Sequence, residues 1–440
     1  MNRVFQKILS NSGFLKYLKN TSWLLLEKIL RIAVGLFIGV WMARYLGPEE
    51  FGIFSYTLSF VGMFAVFANL GMDSVLVKEL VDHKLKVNKL LGTAFYLRLV
   101  SSACVMLAIF FASTLLSNDN YENTLIFIIS GSVIFQSFNV IDLYFQSRVM
   151  GKQTTYMNSV ALFLSSLIKI YLLISEAPLI HFAYLVLFDA FVLAVGYVYI
   201  YIKFSTTSIF KIYFDKNTAL TMMKNTWPIL ISTVFVTIYM KIDQVMIMNM
   251  LGSEHVGQYA VAVKLSEAWY FIPGVVAMSL FPAIINAKKI SKSVYDYRLR
   301  KLYDLMIYMS VIVAILTTLV GKDVIDFLYG YQYQKAGSVL IIHIWAGIFV
   351  FLGNVSNRWM IIENLQIYIA IYSAIGAIIN IVLNYLLLPI MGIDGAALAT
   401  LISYFISTYL CLFLSKKTRK GFIQLSQSLL FKRAANNIKN

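Results

Sequence analysis

The sequence predicts an all-α integral membrane protein with twelve transmembrane helices in two lobes of six. The chain is 60% hydrophobic and only 13% charged, twelve of its apolar runs are long enough to cross a bilayer, and a short polar turn of the first half recurs in the second half. A soluble domain of 440 residues would need many more charged side chains to cover its surface.

The net charge is +16, from 37 Lys and Arg against 21 Asp and Glu. Nucleic-acid-binding proteins are also basic, but they are not so apolar, and we expect no nucleic-acid partner. Basic loops on the cytoplasmic side of a membrane explain the charge instead. Cys104 and Cys411 both lie inside apolar runs, and no His, Cys and Glu residues cluster at metal-ligand spacing. We therefore expect neither a disulfide framework nor a metal site, and no cofactor.

A spanning helix needs roughly 20 mostly apolar residues to cross about 30 Å of hydrocarbon. The runs are continuous rather than alternating, which favours helices over the strands of a barrel. The first run is too long for the apolar core of a signal peptide and lacks a small-residue cleavage site, so we expect it to remain as the first span. The predicted spans are 23–45, 53–76, 90–115, 124–147, 156–175, 181–203, 226–251, 257–285, 304–320, 338–360, 366–388 and 394–415.

Basic residues predict the orientation of these spans. They concentrate at both termini and in the connections that follow the even-numbered spans, whereas the opposite side offers only Arg44, Lys322 and Lys335. This asymmetry places both termini in the cytoplasm. The predicted parts are a cytoplasmic interfacial segment 1–22, an N-terminal six-helix lobe 23–203, a cytoplasmic linker 204–225, a C-terminal six-helix lobe 226–415 and a basic cytoplasmic tail 416–440.

An internal repeat relates the two lobes. Residues 46–54 and 251–259 share the pattern Leu-Gly-x-Glu-x-x-Gly-x-aromatic, and each copy lies between the first and second spans of its lobe. Glycine permits a tight reversal, and the carboxylate can cap the first turn of the next helix. Because each lobe has an even number of spans, the two have the same orientation and are related by an axis along the membrane normal. This plan is typical of an alternating-access transporter with a cleft between its lobes.

Charged residues inside the spans are the candidate functional residues. Each costs at least roughly 2.5–3.5 kcal/mol at the membrane centre unless it faces a wet cavity or a partner. Pro273 and Gly274 also predict a kink in span eight. The charged residues are Glu27, Lys28, Arg31, Arg98, Asp142, Lys169, Asp189, Lys241, Asp243, Lys264 and Glu267.

Two interpretations of these charges remain open. In the functional one, a cationic cavity attracts an anionic, phosphate-bearing substrate. Its substrate-binding residues are Lys28, Arg31, Arg98, Lys241 and Lys264, and its counter-ions, coupling-ion ligands or proton acceptors are Glu27, Asp142, Asp189, Asp243 and Glu267. In the structural one, the charges only pair with each other, Arg31 with Glu27 and Lys264 with Glu267, at helical spacings of four and three.

Three stretches resemble a known family. Residues 43–52 read Ala-Arg-Tyr-Leu-Gly-Pro-Glu-Glu-Phe-Gly, 69–73 read Asn-Leu-Gly-Met-Asp, and 392–400 read Gly-Ile-Asp-Gly-Ala-Ala-Leu-Ala-Thr. These look like the corresponding stretches of the polysaccharide exporters and O-antigen flippases of the Wzx type. The resemblance implies the MATE-like fold of the multidrug/oligosaccharidyl-lipid/polysaccharide (MOP) exporter superfamily. The basic cavity residues of that family on spans one and eight are matched in kind by Lys28, Arg31 and Lys264.

The resemblance implies a non-enzymatic flippase in the plasma membrane of a prokaryote. Its partners would be the bilayer, an undecaprenyl-diphosphate-linked glycan, a coupling ion (H⁺ or Na⁺) and polysaccharide-assembly proteins, with lipopolysaccharide or O-antigen synthesis as the setting. Lys28, Arg31, Arg98 and Lys264 would bind the diphosphate. Two alternatives are a cation-coupled drug or metabolite exporter of the same superfamily and a membrane glycan polymerase or ligase. The large outer loop that such enzymes need is missing.

Overall fold

The computed structural model describes residues 12–83, 86–116, 119–205, 207–208 and 211–430. The predicted segments 1–22, 204–225 and 416–440 therefore lie partly outside the described residues. By contacts the chain divides into two compact units. The first contains Met1–Tyr45 and Thr57–Val234, and the second contains Leu46–Tyr56 and Phe235–Asn440.

The described part of the chain consists of helices joined by short turns and loops. The earlier helices are α1 Ser12–Asn69, α2 Asp73–Asp82, α3 Val87–Leu116, α4 Asn120–Ser130, α5 Ser132–Phe135, α6 Val140–Ser147, α7 Gly151–Ile174 and α8 Leu179–Phe204. The later ones are α9 Lys216–Leu251, α10 Ser253–Glu267, α11 Phe271–Ile290, α12 Lys292–Tyr329, α13 Ala336–His343, α14 Ala346–Ile362, α15 Gln366–Met391, α16 Ile393–Phe405, α17 Cys411–Leu414 and α18 Arg419–Leu429.

The described chain contains eleven segments long and apolar enough to cross a membrane. The first of them, Leu26–Asp82, has 57 residues. At about 1.5 Å per residue it is far longer than the roughly 30 Å of a hydrocarbon layer. Its helical backbone is interrupted at Gly47, where φ is 72° and ψ is 173°. This segment therefore holds two spans, and the total agrees with the twelve predicted.

The two repeated turns adopt the same backbone conformation. Gly252 has φ 91° and ψ 175°, close to the values at Gly47, and only glycine adopts such angles without strain. A Cβ atom on Gly52 would overlap the carbonyl oxygen of Ser253, and one on Gly257 would overlap that of Pro48. Pro48 and Ser253 hold equivalent places in the repeat. The contact is therefore reciprocal, as expected where two copies of one element meet about a two-fold axis.

Two later spans are irregular. Span eight breaks between α10 and α11, just before Pro273, because the proline ring excludes the carbonyl four residues earlier. This break confirms the kink predicted there. The last span changes from α-helix to π-helix at Ile406–Leu410 before α17.

Each unit has its own apolar core. In the first unit α2, α3, α6 and α8 bury a cluster that includes Leu76, Phe145 and Tyr201. In the second unit α12, α14 and α18 pack around Trp359, with Leu425 of α18 fully buried. Close packing of these side chains supplies the van der Waals contacts that hold membrane helices together.

Candidate functional site

The first candidate cluster begins on α1 with an ion pair. Arg31 Nη2 lies 2.5 Å from Glu27 Oε1, and Nε of the same arginine donates to that oxygen at 2.9 Å. The pairing anticipated from their spacing is confirmed. The Arg31 side chain is 50% exposed and Glu27 only 11%. Lys28 is exposed beside them.

Asp142 of α6 extends this first cluster. Its carboxylate accepts a hydrogen bond from Gln146 at 2.9 Å and interacts electrostatically with Glu27. Tyr197 of α8 interacts electrostatically with Asp142, Arg31 and Glu27. Residues from α1, α6 and α8 thus converge in the first unit.

Arg98 forms another ion pair in the first unit. Its Nη2 lies 2.5 Å from Asp73 Oδ1, with the arginine side chain 1% exposed and the aspartate 67%. Asp73 begins α2 and interacts electrostatically with Asp142. Arg98 therefore adjoins the first cluster, but Asp73 rather than Arg98 faces outward.

Lys169 and Asp189 make a separate pair between α7 and α8. Lys169 Nζ lies 3.5 Å from Asp189 Oδ2, which also accepts a hydrogen bond from Ser165 at 2.8 Å. The side chains are 31% and 30% exposed. A weak, half-exposed pair of this kind contributes little to stability.

The second candidate cluster surrounds Asp243 of α9, which is 3% exposed. Tyr259 donates to its Oδ2 at 2.6 Å, and Asn384 donates to its Oδ1 at 2.6 Å. Thr400 donates to Oδ2 at 2.5 Å. Within the described chain, no lysine or arginine forms an ion pair with this carboxylate.

This second cluster also contains acceptor oxygens. Asn384 donates to Asn380 Oδ1 at 3.2 Å, and both residues are fully buried. The Asn384 Oδ1 atom is buried without a hydrogen-bond partner among the described residues. Carboxylate, amide and hydroxyl oxygens are the ligands that hard cations prefer.

Glu267 lies next to the second cluster. It interacts electrostatically with Lys241 and Asp243. Although Lys241 and Asp243 are two residues apart on α9, both therefore lie within range of one carboxylate. Lys264 of α10 is half-buried.

The structure divides the predicted site residues between the two units. Glu27, Lys28, Arg31, Arg98 and Asp142 belong to the first unit together with Asp189, and Lys241, Asp243, Lys264 and Glu267 belong to the second. Sequence reasoning missed the polar partners, which are Asp73, Tyr197, Tyr259, Asn380, Asn384 and Thr400. Two buried asparagines four residues apart in an otherwise apolar span were the available signal.

Comparison with known proteins identifies the family. The model of the family described as "Polysaccharide biosynthesis protein" matches residues 17–288, which is more than half of the chain. An uncharacterized membrane protein of Methanocaldococcus jannaschii, MJ1068, is 24% identical over 418 residues, covering 89% of this chain and 82% of that protein.

Solved structures share the fold at low sequence identity. A structure of the lipid II flippase MurJ in an inward closed conformation superposes with a TM-score of 0.67 at 17% identity, covering 92% of this chain and 90% of that one. An inward-facing multidrug resistance MATE transporter of the MOP superfamily superposes with a TM-score of 0.63 at 12% identity, covering 92% of this chain and 96% of that one. The chain therefore belongs to the polysaccharide biosynthesis protein family and is a multi-pass membrane protein with the fold of MurJ and the MATE transporters of the MOP superfamily.

Proposed function

We propose that this protein is a flippase that moves a polyprenyl-diphosphate-linked oligosaccharide from the inner to the outer leaflet of a prokaryotic plasma membrane by alternating access. Membership of the polysaccharide biosynthesis family supports the substrate class. O-antigen or another surface-polysaccharide repeat unit is the proposed glycan. The protein is proposed to act as a transporter rather than as an enzyme.

One observation carries the proposal. Within residues 23–43 of the first span, Lys28 and Arg31 are accompanied by a single carboxylate, Glu27, so the two cations exceed the anion by one charge. Both cations are exposed. A guanidinium and an ammonium make charge-assisted bonds to phosphate oxygens, which suits them to a diphosphate.

The test is transport in proteoliposomes loaded with a polyprenyl-diphosphate oligosaccharide, with outer-leaflet glycan measured by enzymatic accessibility. We expect Arg31→Ala and Lys28→Ala each to raise the substrate concentration for half-maximal transport by about 10- to 100-fold, since a hydrogen bond to a charged group contributes about 1.5–3 kcal/mol.

The matched control is Lys169→Gln, which removes a cation from a span of the same unit at a distinct ion pair. Transport by this variant should stay near the wild-type level. If Lys28→Ala and Arg31→Ala also transported normally at equal protein levels, the assignment of the diphosphate to this helix would be wrong.

Asp243 is proposed as the ligand of the coupling cation. The carboxylate, the Asn380 and Asn384 amide oxygens and the Thr400 hydroxyl offer an oxygen-rich site for Na⁺. A protonated Asp243 would instead serve H⁺ coupling. Transport driven by a Na⁺ gradient at constant pH distinguishes the two ions.

The second candidate is a cation-coupled exporter of drugs or metabolites. The Asp243 cluster favours it, because it supplies a coupling site without implying any glycan. The fold is also shared with a multidrug resistance transporter. Export of small cationic dyes without transport of lipid-linked glycan would support this candidate. Glycan polymerised in proteoliposomes that contain no other enzyme would instead indicate a polymerase.

A further inference from the structure

The second unit encloses a cavity that none of the predicted charges explains. Its volume is about 230 Å³. Its lining residues come from α9, the turn before α11, α14, α15, α16 and the π-helical turn. Four tyrosines line it, which are Tyr239, Tyr270, Tyr372 and Tyr404. The space is smaller than the roughly 300 Å³ at which sites for drug-sized molecules begin.

The cavity is also lined by polar, uncharged side chains. Among them are Asn354, Asn357, Ser373, Ser407 and Thr408. None of the described lining residues carries a charge, which disfavours a phosphate or a metal ion. The amides and hydroxyls equally disfavour an isoprenoid chain, because polar groups lose hydrogen bonds to water when a hydrocarbon covers them.

A sugar ring matches both kinds of lining side chain, the aromatic and the polar. Its C–H faces are apolar and pack on aromatic rings, while its hydroxyls donate to and accept from amide and hydroxyl groups. Tyrosine and asparagine side chains are also stiff or short, so ordering them on binding costs little entropy. We propose that this cavity binds one uncharged sugar residue of the transported glycan, a role that rests on the flippase function proposed above.

The polar groups of the cavity keep hydrogen-bonding capacity. Asn354 Nδ2 donates to Val350 O of its own helix at 3.4 Å, and Ser407 Oγ donates to Tyr404 O at 3.4 Å. Bonds of this length are weak compared with the usual 2.7–3.2 Å. Sugar hydroxyls can therefore replace or supplement them at low cost.

The π-helical turn Ile406–Leu410 places Ser407 and Thr408 at the cavity. Such turns interrupt α-helices at a cost in stability and occur frequently at functional sites. Gly353 packs closely against this turn, since a Cβ atom at position 353 would lie 3.4 Å from the Thr408 side chain. A large side chain at position 353 would project into the space.

The cavity adjoins the second polar cluster. Tyr404 interacts electrostatically with Tyr239, Tyr270, Glu267 and Asp243. Thr400, which donates to Asp243, precedes the π-helical turn by six residues on the same span. The cavity therefore lies beside the Asp243 cluster.

The direct test is saturation-transfer NMR of the purified full-length protein with free N-acetylglucosamine, galactose and rhamnose as separate probes. We expect at least one of them to receive saturation from the wild-type protein at millimolar concentration. Gly353→Leu and Asn354→Ala should reduce that signal at least fivefold.

The matched control is Asn249→Ala. Asn249 also bonds to the carbonyl four residues earlier in its helix, at 2.8 Å, but does not line the cavity. Its signal should equal that of the wild type. Since Gly353→Leu can disturb folding, Gly353→Ala is measured beside it. Gel filtration and the thermal midpoint verify that both variants are folded. If Gly353→Leu is unfolded, the sugar signal of Asn354→Ala tests the inference.

Three outcomes would overturn the inference. No signal from any of the three sugars would do so, as would equal signals from Asn354→Ala and the wild type. Saturation of tetramethylammonium or of an isoprenol, with none of the sugars, would identify a cation cage or a lipid site instead. Each outcome is separable from the flippase proposal, since that proposal fails only if wild-type proteoliposomes transport no lipid-linked glycan.

Discussion

At the residue scale, the carboxylate of Asp243 is a buried acidic group, only 3% exposed. Burial of an ion costs several kcal/mol even after relaxation. The three donors from Tyr259, Asn384 and Thr400 offset part of this cost. Asn384 Oδ1 lies beside them without a hydrogen-bond partner among the described residues. One cation would satisfy both this oxygen and the charge of Asp243.

We expect Asp243→Asn to fold and to require more Na⁺ for transport. The substitution keeps the shape but removes the charge, so the sodium concentration for half-maximal transport should rise at least about tenfold, equivalent to about 1.4 kcal/mol. Transport rates at varied Na⁺ and constant pH measure this. Asp304→Asn, at an ion pair of α12 with an N–O distance of 3.8 Å, is the control, and the same loss in both variants would refute the assignment.

The Arg98–Asp73 pair predicts an asymmetry between its two partners. Asp73→Asn leaves the buried Arg98 without its counter-charge, which should lower the free energy of unfolding by roughly 3 kcal/mol. Arg98→Met leaves only an exposed carboxylate that water can solvate, so its loss should be smaller. Thermal midpoints of the two variants in detergent test the order, and a more damaging Arg98→Met would contradict it.

At the scale of elements, the repeated turn controls how closely two helices approach. Gly52 and Gly257 each contact the backbone of the other copy, where no side chain can move aside. Gly62, on α1 as well, has no atom within 4 Å of an added Cβ. Glycine is therefore required at the first two positions for packing and not for its backbone angles.

We expect Gly52→Ala and Gly257→Ala each to lower the free energy of unfolding by about 1–3 kcal/mol or more, because overpacking forces backbone shifts. Gly62→Ala should be neutral or stabilising by up to about 1 kcal/mol, since alanine favours helix. Membrane expression and thermal midpoints measure the difference. Equal behaviour of the three variants would mean that the two turns do not pack as described.

The start of α9 gives a pH-dependent prediction. Asp215 Oδ2 accepts from the Thr218 amide at 2.8 Å and lies 2.9 Å from Lys89 Nζ. The bond to Lys89 and those to Thr218 lower the pKa of Asp215 from 3.8 to about 2. Because its pKa is lower in the folded state, its stabilising contribution is complete above about pH 4 and is lost as the pH falls through about 2.

The measurement is thermal unfolding of wild type and Asp215→Asn by circular dichroism across this range. At neutral pH the wild type should have a higher unfolding temperature than Asp215→Asn. The difference between the two unfolding temperatures should become smaller only below about pH 4. Lys89→Gln should show the same profile, because it removes the other half of the ion pair. A gap that widens on acidification would be inconsistent with a lowered pKa.

At the scale of the whole molecule, the charge distribution predicts the topology. Lys289 and Lys417 are exposed and follow spans eight and twelve, whereas Lys335 is exposed and precedes span ten. With Cys104→Ala and Cys411→Ala as background, Lys289→Cys and Lys417→Cys should resist a membrane-impermeant maleimide in intact cells or spheroplasts. Lys335→Cys should react. Labelling of all three, or the reverse pattern, would overturn the predicted orientation.

Most of the fold followed from local sequence properties. The lengths of the apolar runs gave the twelve spans, since each must match the thickness of the bilayer. The repeat at Gly47 and Gly252 indicated a duplication, and the matching angles of the two glycines agree with it. The observed helix bounds differ most from the predicted spans where the membrane does not set them. For example, α12 begins at Lys292, whereas the predicted span begins at 304.

The sequence by itself determined the class, the number of spans and the list of intramembrane charges, because each depends on the composition of a short stretch. The Arg31–Glu27 pair followed from helical spacing, but only the tertiary structure decided the pairs between distant positions, because those depend on distances between remote residues. Arg98 meets Asp73 across 25 positions, and Asp243 meets Thr400 across 157. The cavity beside Tyr404 was equally hidden, since its walls come from spans that no local pattern brings together.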